Sequence, residues 1–517
     1  MKKDSNSKSG FSRRNFLKTA GGAAAVAGLA ASGLSMIPGT AQAAVRGLPK
    51  KWDEEYDVIV VGSGFAGLAA ALEAKNAGAS VLVIEKMAVH GGNSIINGGD
   101  FCAPATRMQK EEGIEDSPEL MLKDMLRAGA YINHPELAKM VAYGAKDALE
   151  WTESYLGCKY KSIGFHGGHS VKRAHATINQ SGSEVVNKEL AKAREIGVKV
   201  QTRTKMERFI VNEGGRVVGV EVRKNYRFPN ESSGSTAFIK AKKAVVLGSG
   251  GFSRDVRMRM IHDPRLTDRY ESTNQPGATG EAILAACKAG AMDVHMDWIQ
   301  LGPWTSPDEK GFGFVPLFCE RLVGYGPMIN PKTGKRFFKE TGNRKERADA
   351  IILLGDPVII MGDTYAVNKQ VFPNALQKGM EIGAIKKFDT LEALAKEYNI
   401  PTDAFLNEIK RWNGFVEKKK DDDLDCLIFK DARPVIEAPF YAARLWPKVH
   451  HTMGGLVINK GAQVMGLDFN PVQGLYAAGE ATGGVHGAVR LGGVAMADCI
   501  VFGRIAGKNA AAEKAWS

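Results

Sequence analysis

Three glycines and one acidic residue near the start of the chain have the types and spacing that bind a dinucleotide. The glycines are Gly62, Gly64 and Gly67, and the acid is Glu85. Glycines let the backbone turn tightly and approach a pyrophosphate, while an acid about twenty residues further on can accept hydrogen bonds from ribose hydroxyls. The pattern therefore predicts a site for FAD or NAD.

The elements around these glycines are those of a Rossmann unit. Residues 57–61 form a continuous apolar run, typical of a central parallel strand, and residues 80–84 form a second run that ends at Glu85. Between them, the alanine-rich residues 68–77 are expected to form a helix, whose N-terminus offers unpaired N–H groups and a positive dipole to a phosphate. The prediction therefore rests on the order of strand, glycines, helix, strand and acid.

Later segments favour FAD over NAD. An NAD-dependent enzyme would be expected to contain a second glycine fingerprint, and the sequence has none of that quality. Three segments instead look like parts of one large FAD site, although each taken alone could be a structural turn. They are a strand entering a glycine turn at 244–251, a turn opening a helix at 276–281, and a strand ending in glycine and an acid at 474–480.

Composition and charge exclude several classes of protein. The chain has 517 residues, 44% hydrophobic and 24% charged, which indicates a folded protein of two to four folding units. Residues 1–43 supply +5 of the net charge of +12, and the rest shows no basic block with interleaved aromatics, so nucleic acid is not an expected partner. The six cysteines lie far apart, without CxxC, zinc spacing or a CxxCH haem site, so no metal is expected.

The N-terminal segment resembles a twin-arginine signal peptide. Adjacent arginines at 13 and 14 precede an alanine- and glycine-rich stretch at 20–36, which ends near a small-residue cleavage site at 41–43. An uncleaved anchor is the alternative, but the stretch is short and weakly hydrophobic for a spanning helix. We therefore expect residues 1–43 to be removed on export to the periplasm, leaving a chain with no membrane span.

Three further motifs resemble those of the fumarate reductase/succinate dehydrogenase flavoprotein superfamily. They are Gly91-Gly92-Asn93-Ser94, the His-His-Thr-Met-Gly-Gly run at 450–455, and the His-Gly-Ala-Val-Arg-Leu-Gly-Gly run at 486–493. The resemblance extends over about residues 54–510 and is greatest to the soluble periplasmic branch, which includes flavocytochrome c fumarate reductase, urocanate reductase and methacrylate reductase.

The resemblance implies an α/β fold. It consists of a discontinuous Rossmann-like FAD-binding domain, at 44–302 and 441–517, with an inserted α+β capping domain at 303–440. Within the cap, helices are expected at 390–397 and 401–418, followed by a solvated loop at 418–425.

The cofactor and the electron donor also follow from the resemblance. Relatives that bind FAD covalently use a histidine near the Gly-Gly-Asn segment, and here that place is held by Asn93, so non-covalent FAD is expected. Without a CxxCH motif, electrons are expected from a separate c-type cytochrome. The FAD-binding residues implied are Gly62, Gly64, Gly67, Glu85, Asn93, Ser94, Gly98, Gly99, Gly250, Gly280 and Glu480.

The implied chemistry is reduction of a C=C bond conjugated to a carboxylate. A hydride passes from the flavin to the β-carbon, and a proton must reach the α-carbon. His451 and Arg490 match the family residues that hold and polarise the carboxylate. Arg344 matches the family's arginine proton donor, and Glu320 matches the acid that reprotonates it. Arg336 and Arg347 are nearby alternatives for Arg344, and a solvated basic face is the non-catalytic alternative.

Several positions depart from the fumarate reductase pattern. Where fumarate reductases have a histidine and a threonine for the second carboxylate, this chain has Gly302 and Cys319. The outer arginine of the proton relay falls at Val323, with Arg321 as a candidate replacement. His166 stands where a methionine lines the fumarate pocket. The substrate-binding residues implied are therefore His451, Arg490, His166 and Cys319.

These departures favour an enoate other than fumarate. Trp304, Phe314 and Phe318 are candidates to line an apolar pocket for methacrylate, acrylate or a cinnamate-like acid. His166 and Glu320 are candidates to contact an imidazole, as a urocanate reductase would require. The alternatives are a fumarate or urocanate reductase, a ketone Δ-dehydrogenase, and a non-catalytic flavoprotein.

Overall fold

The computed structural model describes residues 47–516, so the predicted signal peptide lies outside the described residues. The helices are Phe65–Asn76, Gly92–Ile96, Arg107–Glu111, Pro118–Ala128, Pro135–Ser154, Ser183–Glu195, Val256–His262, Glu281–Lys288, Val315–Leu322, Arg344–Leu354, Thr364–Gln370, Pro373–Glu381, Leu391–Glu397, Thr402–Lys418 and Val494–Ala512, with a 3-10 turn at Gly479–Ala481. The strands are Glu54–Val61, Val81–Ile84, Asp100–Cys102, Tyr160–Gly164, Ala174–Thr177, Lys199–Gln201, Thr204–Val211, Val217–Lys224, Ser235–Leu247, Asp293–Val294, Ile299–Gly302, Met328–Asn330, Lys335–Arg336, Val358–Gly362, Ile385–Phe388, Phe440–Leu445, Lys448–Thr452, Gly455–Leu456, Gln463–Met465 and Pro471–Ala477.

An eight-stranded sheet forms the centre of the FAD-binding half. Strand Glu54–Val61 lies between Val81–Ile84 and Ser235–Leu247, and pairs in parallel with both. Its last four residues are buried, as expected for a strand covered on both faces. Pro471–Ala477 pairs in parallel with the other edge of Ser235–Leu247, so the strand from the C-terminal segment completes the sheet. The predicted order of strand, glycine turn, helix and strand is present, but the helix begins at Phe65, three residues before the predicted start at residue 68, and so contains Gly67.

Small residues allow two helices to pack closely beside this sheet. Helix Phe65–Asn76 is rich in alanine and buried over most of its surface, and the C-terminal helix Val494–Ala512 packs against it. A methyl group added at Gly507 would overlap the carbonyl oxygen of Ala70 on the neighbouring helix. The backbones of the two helices therefore approach each other at a glycine.

We expect Gly507→Ala to destabilise the protein by about 1–3 kcal/mol, because the added methyl group overpacks a backbone contact. Gly414 is the matched control, since it also lies within a helix but a methyl group there meets no atom within 4 Å. Gly414→Ala is expected to stabilise by roughly 0.5–1 kcal/mol through helix propensity. Denaturant melts of the two variants test the pair, and equal shifts in both would contradict the packing argument.

A five-stranded antiparallel sheet and its own apolar cluster form a second part of the structure, which we call the second layer. The helices expected in this region are present as Leu391–Glu397 and Thr402–Lys418, with Thr390 and Pro401 as their N-caps. Its strand Phe440–Leu445 pairs with two others and runs beyond the predicted boundary at residue 440. The cap boundaries themselves stay a prediction.

The segment 418–425 is not wholly solvated, which corrects the expectation. Asp421 is buried and accepts a hydrogen bond of 2.7 Å from Arg336, which also binds Glu340. Buried carboxylates need such partners. Both acids therefore bind Arg336 inside the second layer. Its guanidinium carbon lies 4.7 Å from the centre of the Trp412 ring. It is not a candidate for the proton donor.

Two paired strands connect the eight-stranded sheet with the second layer. Ile299–Gly302, which leads out of the FAD-binding half, pairs antiparallel with Lys448–Thr452, which leads back into it. Gln300 lies opposite His451 in this ladder. The same short sheet therefore positions a predicted substrate residue at the junction.

Within residues 47–516, no helix is long and apolar enough to cross a bilayer. In the same part of the chain, no cluster of three or more His, Cys, Asp or Glu side chains is placed to hold a metal ion.

Candidate active site

The glycine turn lines a cavity of about 130 Å³ at the carboxyl ends of the parallel strands, which we call the nucleotide cavity. Gly62 has φ of +100°, and a side chain there would overlap the backbone of Gly248. At Gly64 an added methyl would lie 2.9 Å from Ser94 Oγ. The predicted cofactor residues on its wall are Gly62, Gly64, Glu85, Asn93, Ser94, Gly250, Gly280 and Glu480. At Gly62 and Gly64 the backbone is closely approached by its neighbours, as the turn of a pyrophosphate site requires.

Side chains hold this wall in place. Glu85 accepts hydrogen bonds from Ser63 Oγ at 2.7 Å and from the Met87 N–H at 2.9 Å, and these contacts fix its carboxylate beside the cavity. Ser94 Oγ accepts from the Phe65 N–H at 3.0 Å, at the start of the first helix. The carboxylate oxygens of Glu85 retain lone pairs that can accept hydrogen bonds from a ribose.

Two predicted cofactor glycines, Gly67 and Gly99, line neither the nucleotide cavity nor the substrate cavity described below. Gly67 lies beneath the turn, where a methyl group would overlap the carbonyl oxygen of Gly62, so it serves close helix–strand packing. Gly99 has φ of +70° and lies against Thr177 and Ser181, so a turn requires a glycine there. Its neighbour Gly98 does line the second cavity.

A second cavity of about 160 Å³, which we call the substrate cavity, adjoins the first. The two share the wall residues Phe65, Asn93, Ser94, Glu480 and Cys499. A long cofactor can therefore place its phosphates in one cavity and its reactive ring against the other. Arg344, Glu320, His451, Arg490 and His166 all line the substrate cavity, as the sequence predicts for catalytic and substrate-binding residues.

Three of these side chains present unpaired hydrogen-bonding atoms. Arg490 and Arg344 are 4% and 6% exposed and His451 is 5% exposed, so all three side chains are buried. Among residues 47–516, no partner is found for Nε of Arg490, Nε and Nη1 of Arg344, or Nε2 of His451. Buried donors without partners are costly, and an anionic ligand would satisfy them. The arrangement fits one carboxylate.

Burial sets the charge of these groups. Burial, reinforced by the nearby Arg344, lowers the pKa of Arg490 to about 9. Burial also lowers the pKa of Arg344, although the charge of Glu320 opposes the shift. The pKa of His451 lies well below its usual value because of burial and the charge of Arg490, so this histidine is neutral at pH 7.

Glu320 lies at the centre of a buried charge network. It accepts hydrogen bonds of 2.7 Å from Arg347 Nη2 and 2.9 Å from His166 Nδ1. Burial alone would raise the pKa of Glu320, but Arg347 and His166 outweigh it and hold the carboxyl ionised. Arg347 is fully buried behind Glu320 and does not line the substrate cavity, so Arg344 is the better-placed arginine of the predicted segment.

The network continues to Asp100, which sequence reasoning missed. His166 Nε2 lies 3.0 Å from Asp100 Oδ2, and Arg321 Nη2 donates to Asp100 Oδ1 at 3.1 Å. Burial alone would lower the pKa of His166. The carboxylates of Asp100 and Glu320 outweigh burial, and the pKa lies above its usual value. Arg321 therefore binds Asp100, whereas the arginine that binds Glu320 is Arg347.

Cys319 does not lie on the cavity wall. Helix Val315–Leu322 turns Pro316, Leu317, Glu320 and Arg321 to the substrate cavity, whereas Cys319 is fully buried in the apolar cluster of the second layer. Phe318 also lies in that cluster, and Phe314 is likewise absent from the cavity wall, so neither provides the predicted apolar lining.

The apolar lining comes from neighbouring residues instead. It consists of Ile96, Trp304, Phe312, Pro316, Leu317 and Met496. The Trp304 ring covers Gly302, where a methyl group would meet it at 2.9 Å, so aromatic surface lies beside the position where fumarate reductases have a histidine.

The nucleotide cavity, the adjoining substrate cavity and the parallel sheet define an FAD-dependent oxidoreductase. The family model of the FAD binding domain matches residues 57–496, so the chain belongs to this family, and the relatives reported below confirm the predicted membership of the fumarate reductase/succinate dehydrogenase flavoprotein superfamily. A second model, of the twin-arginine translocation pathway signal sequence, matches residues 10–30. These matches confirm FAD as cofactor and a twin-arginine signal, and together with the similar proteins reported below they confirm the fold class and an enzyme acting on CH–CH bonds.

Similar proteins extend over most of this chain. The acrylate reductase flavoprotein subunit of Shewanella woodyi is 41% identical, with 96% of this chain and 97% of that protein covered. A fumarate reductase (cytochrome) of Shewanella frigidimarina is 36% identical over 91% of this chain and 79% of its own length. The open conformation of a flavocytochrome c3 fumarate reductase superposes with a TM-score of 0.71 at 32% identity, covering 99% of this chain and 83% of the other.

Proposed function

We propose that this protein reduces the C=C bond of an α,β-unsaturated monocarboxylate, such as acrylate or methacrylate. The observation that carries the proposal is the substrate cavity itself. It offers the unpaired donors of Arg490, His451 and Arg344, while its other arginine, Arg321, is bound to a protein carboxylate. One substrate carboxylate is accommodated, and the rest of the wall is largely apolar.

Arg490 and His451 bind the carboxylate. The guanidinium can donate two parallel N–H bonds, and neutral His451 donates one more from Nε2 in the tautomer that carries its proton there. As charge builds on the carboxylate side during reduction, these fixed donors stabilise it in a site without bulk water. FAD held by the residues of the nucleotide cavity would, when reduced, supply the hydride for the β-carbon. We expect its binding to be non-covalent, because Asn93 stands where covalent relatives have a histidine.

Arg344 supplies the proton to the α-carbon, which completes the addition of one hydride and one proton to the double bond. Its lowered pKa makes the guanidinium a stronger acid than usual, and the charge of Glu320 favours its reprotonation. Glu320 is in turn held by Arg347 and His166. General acid catalysis of this kind contributes about 10²- to 10⁴-fold to a rate.

His166 is not free to bind a substrate imidazole, because both of its ring nitrogens contact carboxylates. This arrangement favours an enoate without a ring donor over urocanate. The acrylate reductase relative supports the same choice.

The twin-arginine signal supports export of the folded, cofactor-loaded protein to the periplasm. There we propose a separate c-type cytochrome as the electron donor. The fumarate reductase (cytochrome) relative supports a partner of this kind.

The KM for acrylate is expected to stay constant between pH 6 and 8 and to rise above about pH 9. Arg490 is protonated below its pKa of about 9, so the carboxylate-binding cation is present at neutral pH and is lost as the pH increases. Above that pH the KM should rise about tenfold per pH unit. Steady-state kinetics from pH 6 to 10.5 test this expectation, and a flat KM over that range would contradict it.

An anaerobic assay with reduced viologen as donor tests the proposed function. The FAD-loaded protein is assayed with acrylate, methacrylate, cinnamate, urocanate and fumarate. We expect the highest kcat/KM with a monocarboxylate that lacks a polar ring. Preference for fumarate or urocanate would overturn the proposed substrate, and activity with none would favour the dehydrogenase or the non-catalytic alternative.

A further inference from the structure

The substrate cavity contains a second arginine–histidine pair, and this pair already holds a carboxylate. Arg321 and His166 both line the cavity. Arg321 donates to one oxygen of Asp100 at 3.1 Å, and His166 lies 3.0 Å from the other. The first pair, Arg490 and His451, presents unpaired nitrogens to the same cavity. The cavity thus has two similar anion-binding pairs, of which one is filled from within the protein.

A short paired strand positions Asp100 on the wall of the substrate cavity. Asp100 begins the strand Asp100–Cys102, whose backbone pairs with Ala174–Thr177 in a three-stranded sheet. Its carboxylate is 12% exposed and lies on the cavity wall. Backbone pairing of the strand fixes the Cα from which the Asp100 carboxylate reaches Arg321 and His166. The fold therefore places Asp100 beside Arg321 and His166.

We propose that Asp100 acts as an internal carboxylate, which occupies the cation pair that would otherwise bind the second carboxylate of a dicarboxylate substrate. This inference rests on the proposed function and adds the residue that determines its specificity. Asp100 is a specificity-determining residue in this account, not one that takes part in the reaction.

Charge balance explains why a dicarboxylate is rejected. A monocarboxylate needs only Arg490 and His451. A second substrate carboxylate would enter a cavity that already contains Asp100 and Glu320, and it would be desolvated without a free cation pair. Removing the charge of Asp100 releases Arg321 and His166 to bind it.

The test measures both binding and turnover in Asp100→Ser. Fumarate is titrated into the oxidised FAD-loaded protein, and binding is followed by the change in flavin absorbance, which does not depend on turnover. We expect Asp100→Ser to bind fumarate at least tenfold more tightly than the unaltered protein. The ratio of kcat/KM for fumarate to that for acrylate should rise at least tenfold as well.

Two further variants show whether the gain in fumarate binding depends on Arg321 and on the position of the removed acid. In Asp100→Ser/Arg321→Met the gain in fumarate binding should disappear, because the released arginine is gone. Asp468→Ser removes an exposed acid that contacts only Asn470 in its own turn, and it should change neither ratio. If Asp100→Ser fails to retain FAD, Asp100→Asn replaces it, since the amide keeps the shape and loses the charge.

The outcomes separate the two proposals. If the unaltered protein prefers fumarate, the proposed function fails. If it prefers a monocarboxylate, and the folded, FAD-loaded Asp100 variants bind fumarate no better, the internal carboxylate is overturned while the proposed function stands. If it prefers urocanate and the Asp100 variants lose that activity, Asp100 is a substrate ligand, which also contradicts the inference.

Discussion

Arg344→Lys is expected to lower kcat for acrylate by about 10²- to 10⁴-fold, the range typical of a general acid. The guanidinium of Arg344 lies 5.0 Å from the Trp304 ring centre, and Nη2 approaches Gly492, where a methyl group would lie 2.9 Å from it. A flat cation fits between an aromatic ring and a glycine, whereas an ammonium group on a shorter side chain does not reach the same point.

The FAD content should not change in this variant, because Arg344 lies outside the nucleotide cavity. Lys345→Gln is the matched control. It removes a neighbouring cation that pairs with Asp349 at 2.6 Å on the helix surface and should leave kcat within about twofold, as expected for a surface pair. Retention of more than a tenth of the activity by Arg344→Lys would contradict the proton-donor role.

Arg490→Met is expected to lower kcat/KM by about 10²- to 10³-fold, since it removes one partner of a buried, hydrogen-bonded charge pair with the substrate. The same change should not destabilise the substrate-free protein. Among the described residues, the Arg490 side chain makes one hydrogen bond, to the Leu491 carbonyl, and its Nε has no partner. Replacing a poorly satisfied buried cation with an apolar side chain is often neutral or stabilising.

Thermal melts with and without acrylate distinguish binding from folding in this case. Acrylate should raise the Tm of the unaltered protein, because a ligand that binds only the native state stabilises it. Arg490→Met should show no such rise while its own Tm is unchanged or higher. A large loss of Tm in the substrate-free variant would assign Arg490 a structural role instead.

The nucleotide cavity could be predicted because its signal is local. Gly62, Gly64 and Glu85 lie within one βαβ unit, where spacing along the chain fixes position in space. The predicted strand and helix are present, and most of the predicted cofactor residues line the cavity. Gly67, Gly98 and Gly99 do not line it. A glycine required by a turn, as Gly99 is, looks the same in sequence as one required by a ligand.

The charge network could not be predicted, because it forms between distant segments. Asp100, His166 and Glu320 come from two different strand regions and a helix of the second layer, and their contacts with one another span up to 154 residues. A short strand such as Asp100–Cys102 carries no pattern that marks its first residue as a cavity group. Only the fold brings these side chains together.

Cys319 shows why a match along the chain does not fix orientation. Successive helical residues point about 100° apart, so a position beside Glu320 can face either the cavity or the core. Glu320 and Arg321 face the cavity and Cys319 faces the apolar cluster. Helix geometry therefore decides which residues near a motif contact the substrate.

A single-turnover experiment tests the central claim most directly. The FAD-loaded protein is reduced by two electrons without oxygen and mixed rapidly with acrylate or with fumarate, while flavin reoxidation is followed by absorbance. Electron donors play no part in this measurement, so the rate reports the cavity alone. We predict rapid, complete reoxidation by acrylate and a rate at least tenfold lower with fumarate. Faster reoxidation by fumarate would contradict a cavity built for one carboxylate.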